Sequence, residues 1–151
     1  MENEENLATP TSSSNQFNTS DWFLQTLVGM SNNSDVSFSI TLNVGGVLVS
    51  GELIGGEEYF NGFANDLKMA GLPANAADLF KKFGDIYVKQ REQKEANQDD
   101  NTIPPPQYIH LKNARIFHPG GNPIPTNRGV WWRGRLDAVD GFILGSLSAG
   151  R

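Results

Sequence analysis

Apolar and polar residues alternate with a period of two from Val36 to Val44. Val36, Phe38, Ile40, Leu42 and Val44 are interleaved with Ser37, Ser39, Thr41 and Asn43. Successive side chains of a strand face opposite sides, so this run predicts a half-buried strand. Gly45-Gly46 follows and accepts the positive φ of a two-residue primed turn. Folding there sets Val44 against Val47, Leu42 against Val49, Ile40 against Gly51 and Phe38 against Leu53. Every partner on that face is apolar or glycine, so pattern and turn specify one register.

On either side the period changes. Ser20 or Thr19 is placed to cap a short helix with Asp21 in its first turn and a stripe of Phe23, Leu24, Leu27 and Val28. Gly29 and the Ser31–Asp35 cluster are expected to end it. After Gly55-Gly56, Tyr59, Phe60, Phe63 and Leu67 recur at helical spacing, behind the acidic pair Glu57-Glu58 that suits a helix N-terminus. Gly71 and Pro73 interrupt the pattern. A second helix begins near Ala74, with Leu79, Phe80, Phe83, Ile86 and Tyr87 on its apolar side. Beyond Val88 that side is lost, and a flexible linker or loop is expected over about 89–107, closing on three prolines.

Tyr108 to Phe117 reads as a strand with one irregularity. Ile109 and Leu111 share a face, whereas Ala114 and Ile116 fall on the other. A bulge near Lys112-Asn113 would reunite them. His118–Arg128 is a glycine- and proline-rich loop. Asp140-Gly141 then carries a type I′ signal, predicting a final hairpin of Val130–Val139 with Phe142–Ser148. In that register Leu136, Ala138, Ile143 and Gly145 share a face. The expected class is α+β: about five antiparallel strands forming a curled sheet or partly open barrel of Sm-like shape, with an N-terminal helix and an inserted helical pair. Residues 1–19, polar and punctuated by Pro10, are expected to be a disordered tail, and 20–151 a single domain.

Composition narrows the chemistry. The 151-residue chain has a formal charge of −5, unevenly spread: residues 1–106 hold 6 Lys/Arg and 15 Asp/Glu, and residues 107–136 hold 5 Lys/Arg and no acid. An acidic whole argues against nonspecific nucleic-acid binding. The segregation also allows the acidic part of one molecule to meet the basic part of another. There is no cysteine, so disulfides and thiolate metal sites are excluded, which suits a reducing cytosol. The acidic start Met1-Glu2-Asn3-Glu4-Glu5 lacks the basic flank of a signal peptide. No run approaches the roughly 18 apolar residues of a membrane span.

Catalytic signals are weak. His110 and His118, the two histidines, have no carboxylate near them in sequence and read as a strand residue and a loop residue. No nucleophile elbow, P-loop or dinucleotide fingerprint occurs, so no cofactor, metal or enzymatic activity is expected. Asp140 reads as a turn residue and Asp137 as a surface neighbour of the arginines. Binding chemistry is better represented. In Trp131-Trp132, alternation and parity with Leu136 bury Trp132 and turn Trp131 outward with Arg133 and Arg135. Trp131, Arg133, Arg135, Lys112 and Arg115 therefore form the candidate interaction set, since indole and guanidinium are favoured at interface hot spots. An alternative is a small Sm-like RNA- or single-strand-binding module, in which Trp131 and Tyr108 would stack bases.

The run Ile109-His110-Leu111-Lys112-Asn113-Ala114, then Trp132-Arg133-Gly134, Val139-Asp140-Gly141-Phe142 and Leu144-Gly145, resembles the gas vesicle accessory protein U family. The hairpin with Ser50-Gly51 and the helix with Tyr59-Phe60 fit the same order, so the resemblance spans about Val36 to Leu147. It implies a non-enzymatic cytoplasmic accessory protein at gas vesicles that associates with the shell or with other vesicle proteins. It also implies self-association, as a homo-oligomer, that influences assembly or clustering. Any polar C-terminal extension that relatives use for assembly would be missing after Arg151, leaving the N-terminal tail, or nothing, to serve instead.

Overall fold

The computed structural model describes residues 20–96 and 104–148. The expected tail at 1–19 and the middle of the expected linker lie outside them. Helix α1 (Trp22–Asn33) is followed by strands β1 (Phe38–Val44) and β2 (Val47–Ile54). Next come helices α2 (Gly56–Met69) and α3 (Ala74–Ala96), strand β3 (Tyr108–Phe117) and strand β4 (Val130–Arg135). A 3-10 turn (Leu136–Ala138) leads into β5 (Gly141–Leu144). The class is α+β, and the five strands form one open antiparallel sheet in the order β4-β3-β2-β1-β5.

All four expected pairs of the β1–β2 hairpin are present, turned by Gly45 at φ 60° and Gly46 at φ 87°. The bulge is also where the alternation demanded it. Asn113 takes φ 52°, and the register of β3 slips by one residue against both neighbours. Glycine stands opposite the bulge on each side. A Cβ on Gly51 would lie 2.8 Å from the Lys112 carbonyl oxygen, and one on Gly129 would lie 2.2 Å from the Asn113 backbone. The slip places Ile109, Leu111 and Ala114 together in the core.

Four expectations are corrected. Asp21, rather than Ser20 or Thr19, caps α1, its carboxylate accepting from Phe23 N–H at 2.8 Å. The helix also runs through Gly29 and Ser31 to Asn33. A glycine inside a helix costs only about 1 kcal/mol, and Leu27, Val28 and Ser31 are buried against the sheet. Ser34 Oγ then donates to the Met30 carbonyl and closes the last turn. Likewise α3 continues to Ala96, so the first residues of the expected 89–107 loop are helical.

The fourth correction is topological. β4 and β5 do not form a hairpin but lie at opposite edges of the sheet. Leu136, 1% exposed, turns into the core, and its N–H donates to the Gln107 carbonyl. The chain then crosses in a 3-10 turn. Asp140 N–H donates to the Asn43 carbonyl, and the Asp140 carboxylate accepts from Gly45 N–H at 2.8 Å. Asp140-Gly141 thus starts β5 beside β1 rather than making a turn of its own. Leu136 and Ile143 consequently part company, the latter being 58% exposed.

One face of the sheet packs against Leu24, Leu27 and Val28 of α1, with Trp132, Val139 and Phe142 at the margin of this core. His110 lies between Ile109 and Leu111 in sequence and points to the opposite face. There Tyr59 and Phe60 of α2 and Tyr87 of α3 surround it. The two helices hold each other through Phe60–Phe83 and Phe63–Phe80 contacts and the fully buried Ala64 and Ala77.

Candidate interaction surface

Strand alternation separates the tryptophans as expected: Trp132 packs on the core, and Trp131 belongs to the face covered by α2. Trp131 is not free, however. Its indole lies over Gly62 of α2, where an added Cβ would come within 2.2 Å of the ring. Its Nε1–H donates to the Asp66 carboxylate at 2.7 Å, and its edge meets Tyr59. The indole is half-buried, packed on a helix.

Arg133 occupies a second microenvironment. Its guanidinium sits 3.9 Å from the Tyr108 ring centroid, and its Nε–H donates to His110 Nε2 at 3.1 Å. That bond fixes the imidazole tautomer: with Nε2 accepting, the proton is on Nδ1. Nδ1 has no hydrogen-bond partner inside its aromatic surroundings. Burial, with the adjacent Arg133 charge, pushes the His110 pKa down to about 3, so the ring is neutral at physiological pH. Burial raises the pKa of Tyr59 and Tyr87, with Arg133 opposing it.

The remaining cations differ in availability. Lys112 Nζ is 2.7 Å from Glu58 and 3.7 Å from Glu52, and the Glu58 hydrogen bond is the main cause of its raised pKa. Arg115 donates to the Asn127 carbonyl at 3.2 Å. Arg135 is well exposed, 3.5 Å from Asp137. A hollow of about 410 Å³ brings Trp131, Lys112 and Arg115 together with Arg128 and Asp66. Arg133 and Arg135 are absent from its lining. The candidate set is thus divided into the hollow, the Arg133–His110 cluster and the exposed Arg135.

Sequence reasoning missed Arg128, Asp66 and the pairing of His110 with Arg133. Arg128 was detectable as part of the acid-free segment. Nothing local signals Asp66, which is 65 residues from Trp131. The hollow presents cations and an indole edge, which suit carboxylate-bearing partners. Among the described residues there is no group of three or more His, Asp or Glu able to hold a metal ion.

The family model described as Gas vesicle protein GvpU-like matches residues 21–147. The chain belongs to the GvpU-like gas vesicle protein family. The match begins at the Asp21 cap and ends at Leu147, whose N–H donates to Ser50 Oγ. It therefore takes in α1 as well as the region from Val36 where the resemblance was read. No curated protein and no solved structure matches the chain. Within the described part of this GvpU-like chain, no helix is long and apolar enough to cross a membrane.

Proposed function

We propose that this protein is a non-enzymatic accessory protein of cytoplasmic gas vesicles, one that binds the shell and self-associates to influence vesicle assembly or clustering. Membership of the GvpU-like family carries this reading. The hollow lined by Trp131, Lys112, Arg115 and Arg128 supports it as a contact for acidic side chains of a shell protein or another copy. The nucleic-acid alternative is weaker. Tyr108 is stacked by Arg133 and Trp131 lies on α2, so both rings that would stack bases are occupied.

Flotation tests the shell-binding part. Purified protein is mixed with isolated gas vesicles, centrifuged, and assayed in the buoyant layer. Saturable co-flotation at physiological salt is the expected result, and protein left wholly in the subnatant rejects direct shell binding. The informative variant is Arg115→Glu with Arg128→Glu and Arg135→Glu, which reverses charge where few internal contacts are lost. Replacing Trp131 and Arg133 instead would disturb the α2 and His110 packing, confusing a lost interface with a loosened fold. If the triple charge reversal floats as wild type does, the assigned cations do not bind the shell.

A further inference from the structure

The two edges of the open sheet are protected unequally. In an antiparallel pair, residues alternate between those that exchange hydrogen bonds with the neighbour and those whose backbone groups point away. Leu136 N–H bonds to the Gln107 carbonyl, which turns the N–H and C=O of Trp131, Arg133 and Arg135 to the free side of β4. Two of those residues are arginines and the third is tied to α2. Charge along an edge is a standard guard against strand addition.

The opposite edge has no such guard. Gly145 N–H bonds to the Ser39 carbonyl, so Gly141 and Ile143 face β1 and the backbone groups of Phe142 and Leu144 point outward. No strand among the described residues takes them. Gly141 to Leu147 contains no charge and no proline. Ile143 is 58% and Leu144 54% exposed. After Gly145 the chain turns back over the sheet, the Gly145 carbonyl accepting from Thr41 and Leu147 N–H donating to Ser50, which leaves the edge open. The apolar surface continues into the first turn of α1. There Phe23 lies 5.5 Å from Phe142, and Trp22, in contact with Phe23, is 75% exposed.

We infer that β5 is the self-association edge: two copies pair β5 to β5, antiparallel across a twofold axis at Ile143, and join their sheets into one. This deepens the self-association part of the proposed function by naming its surface. An uncharged strand can face its own copy without repulsion, whereas two β4 edges would bring arginines together. Pairing about Ile143 sets Phe142 opposite Leu144 of the other copy, so that all four outward backbone groups of each strand are satisfied. Ile143 then meets its own counterpart at a non-hydrogen-bonded position, with Cα atoms about 4.5 Å apart.

The absence of cysteine makes the test direct. Disulfides span Cα separations of about 4.4–6.8 Å, so Ile143→Cys is expected to form a covalent dimer rapidly under mild oxidation in dilute solution. Val47→Cys, exposed at the β1–β2 turn, serves as the collision control and is expected to form no covalent dimer over the same time. Light scattering on wild type should give twice the 16.5 kDa chain mass, and Ile143→Lys, which sets two ammonium groups face to face, should return it to 16.5 kDa with unchanged circular dichroism. A monomeric wild type at its highest soluble concentration overturns the inference. So does cross-linking of Ile143→Cys no faster than the control, or cross-linking that needs Arg133→Cys on the other copy. Co-flotation is read separately. An Ile143→Lys monomer that still floats with vesicles upholds the β5 surface, while a dimer that never floats leaves that surface standing and removes shell binding.

Discussion

Acidification should weaken this fold through one buried imidazole. His110 is fully buried, and its pKa is depressed from 6.5 to about 3 by burial and by Arg133. Between those values the unfolded chain binds a proton that the folded chain does not. The stabilisation is therefore complete above the unfolded pKa and is lost as the pH falls toward 3. At about 1.4 kcal/mol per pH decade the whole effect is about 5 kcal/mol, and about 2 kcal/mol of it is gone by pH 5. Carboxylates also titrate on this path, so the test is a difference between two proteins. His110→Gln keeps an acceptor for Arg133 but cannot take up the proton. Urea unfolding of both, followed by fluorescence at several pH values between 7.5 and 5, measures the gap. Wild type should lose about 2 kcal/mol more than His110→Gln over that range. Parallel curves would refute the reasoning and mean that His110 titrates alike in folded and unfolded chains.

Other substitutions examine the elements that position the surface. Gly129→Ala drives a Cβ into the Asn113 backbone and should cost about 2 kcal/mol in chemical denaturation, whereas an unchanged midpoint would contradict the close approach at the bulge. Trp132→Ala should cost about 3 kcal/mol, because the indole packs on the central core; a loss below about 1 kcal/mol would mean that it contributes little there. Asp140→Ala removes the carboxylate that accepts from Gly45 N–H and should lower stability by about 1 kcal/mol, seen as a fall in Tm of several degrees. Lys112→Met breaks the partly exposed pairs with Glu58 and Glu52 and should change stability by less than about 1 kcal/mol in physiological salt.

Local patterning was legible wherever both partners of an interaction lay close in sequence. The β1–β2 register followed from nine alternating residues and two glycines, and the bulge at Asn113 from the parity break between Leu111 and Ala114. The same local logic misread Asp140-Gly141. The dipeptide has type I′ chemistry, but its carboxylate caps a different turn, and burial of Leu136 carries the chain to the far edge. α1 outran its glycine for a similar reason, since packing of Val28 and Ser31 outweighed a weak breaker. At the surface, the cations were legible and their partners were not. Glu58 is 54 residues from Lys112, and Asp66 reaches Trp131 from a helix whose placement only the fold determines.

The position of β5 beside β1 has a consequence for synthesis. Thr41 and Gly145, which meet through a hydrogen bond, are 104 residues apart in the chain. The β1–β2 hairpin can close within moments of leaving the ribosome, because its contacts are local. The outer side of β1 must wait. At about 5–20 residues per second, translation leaves it bare for roughly 5–20 s before its partner strand exists. During that interval the nascent chain offers Ser39, Thr41 and Asn43 as an unprotected template, with Ile40 and Leu42 at their sides. Ribosome-bound intermediates of this protein are therefore the species for which chaperones should show the greatest affinity.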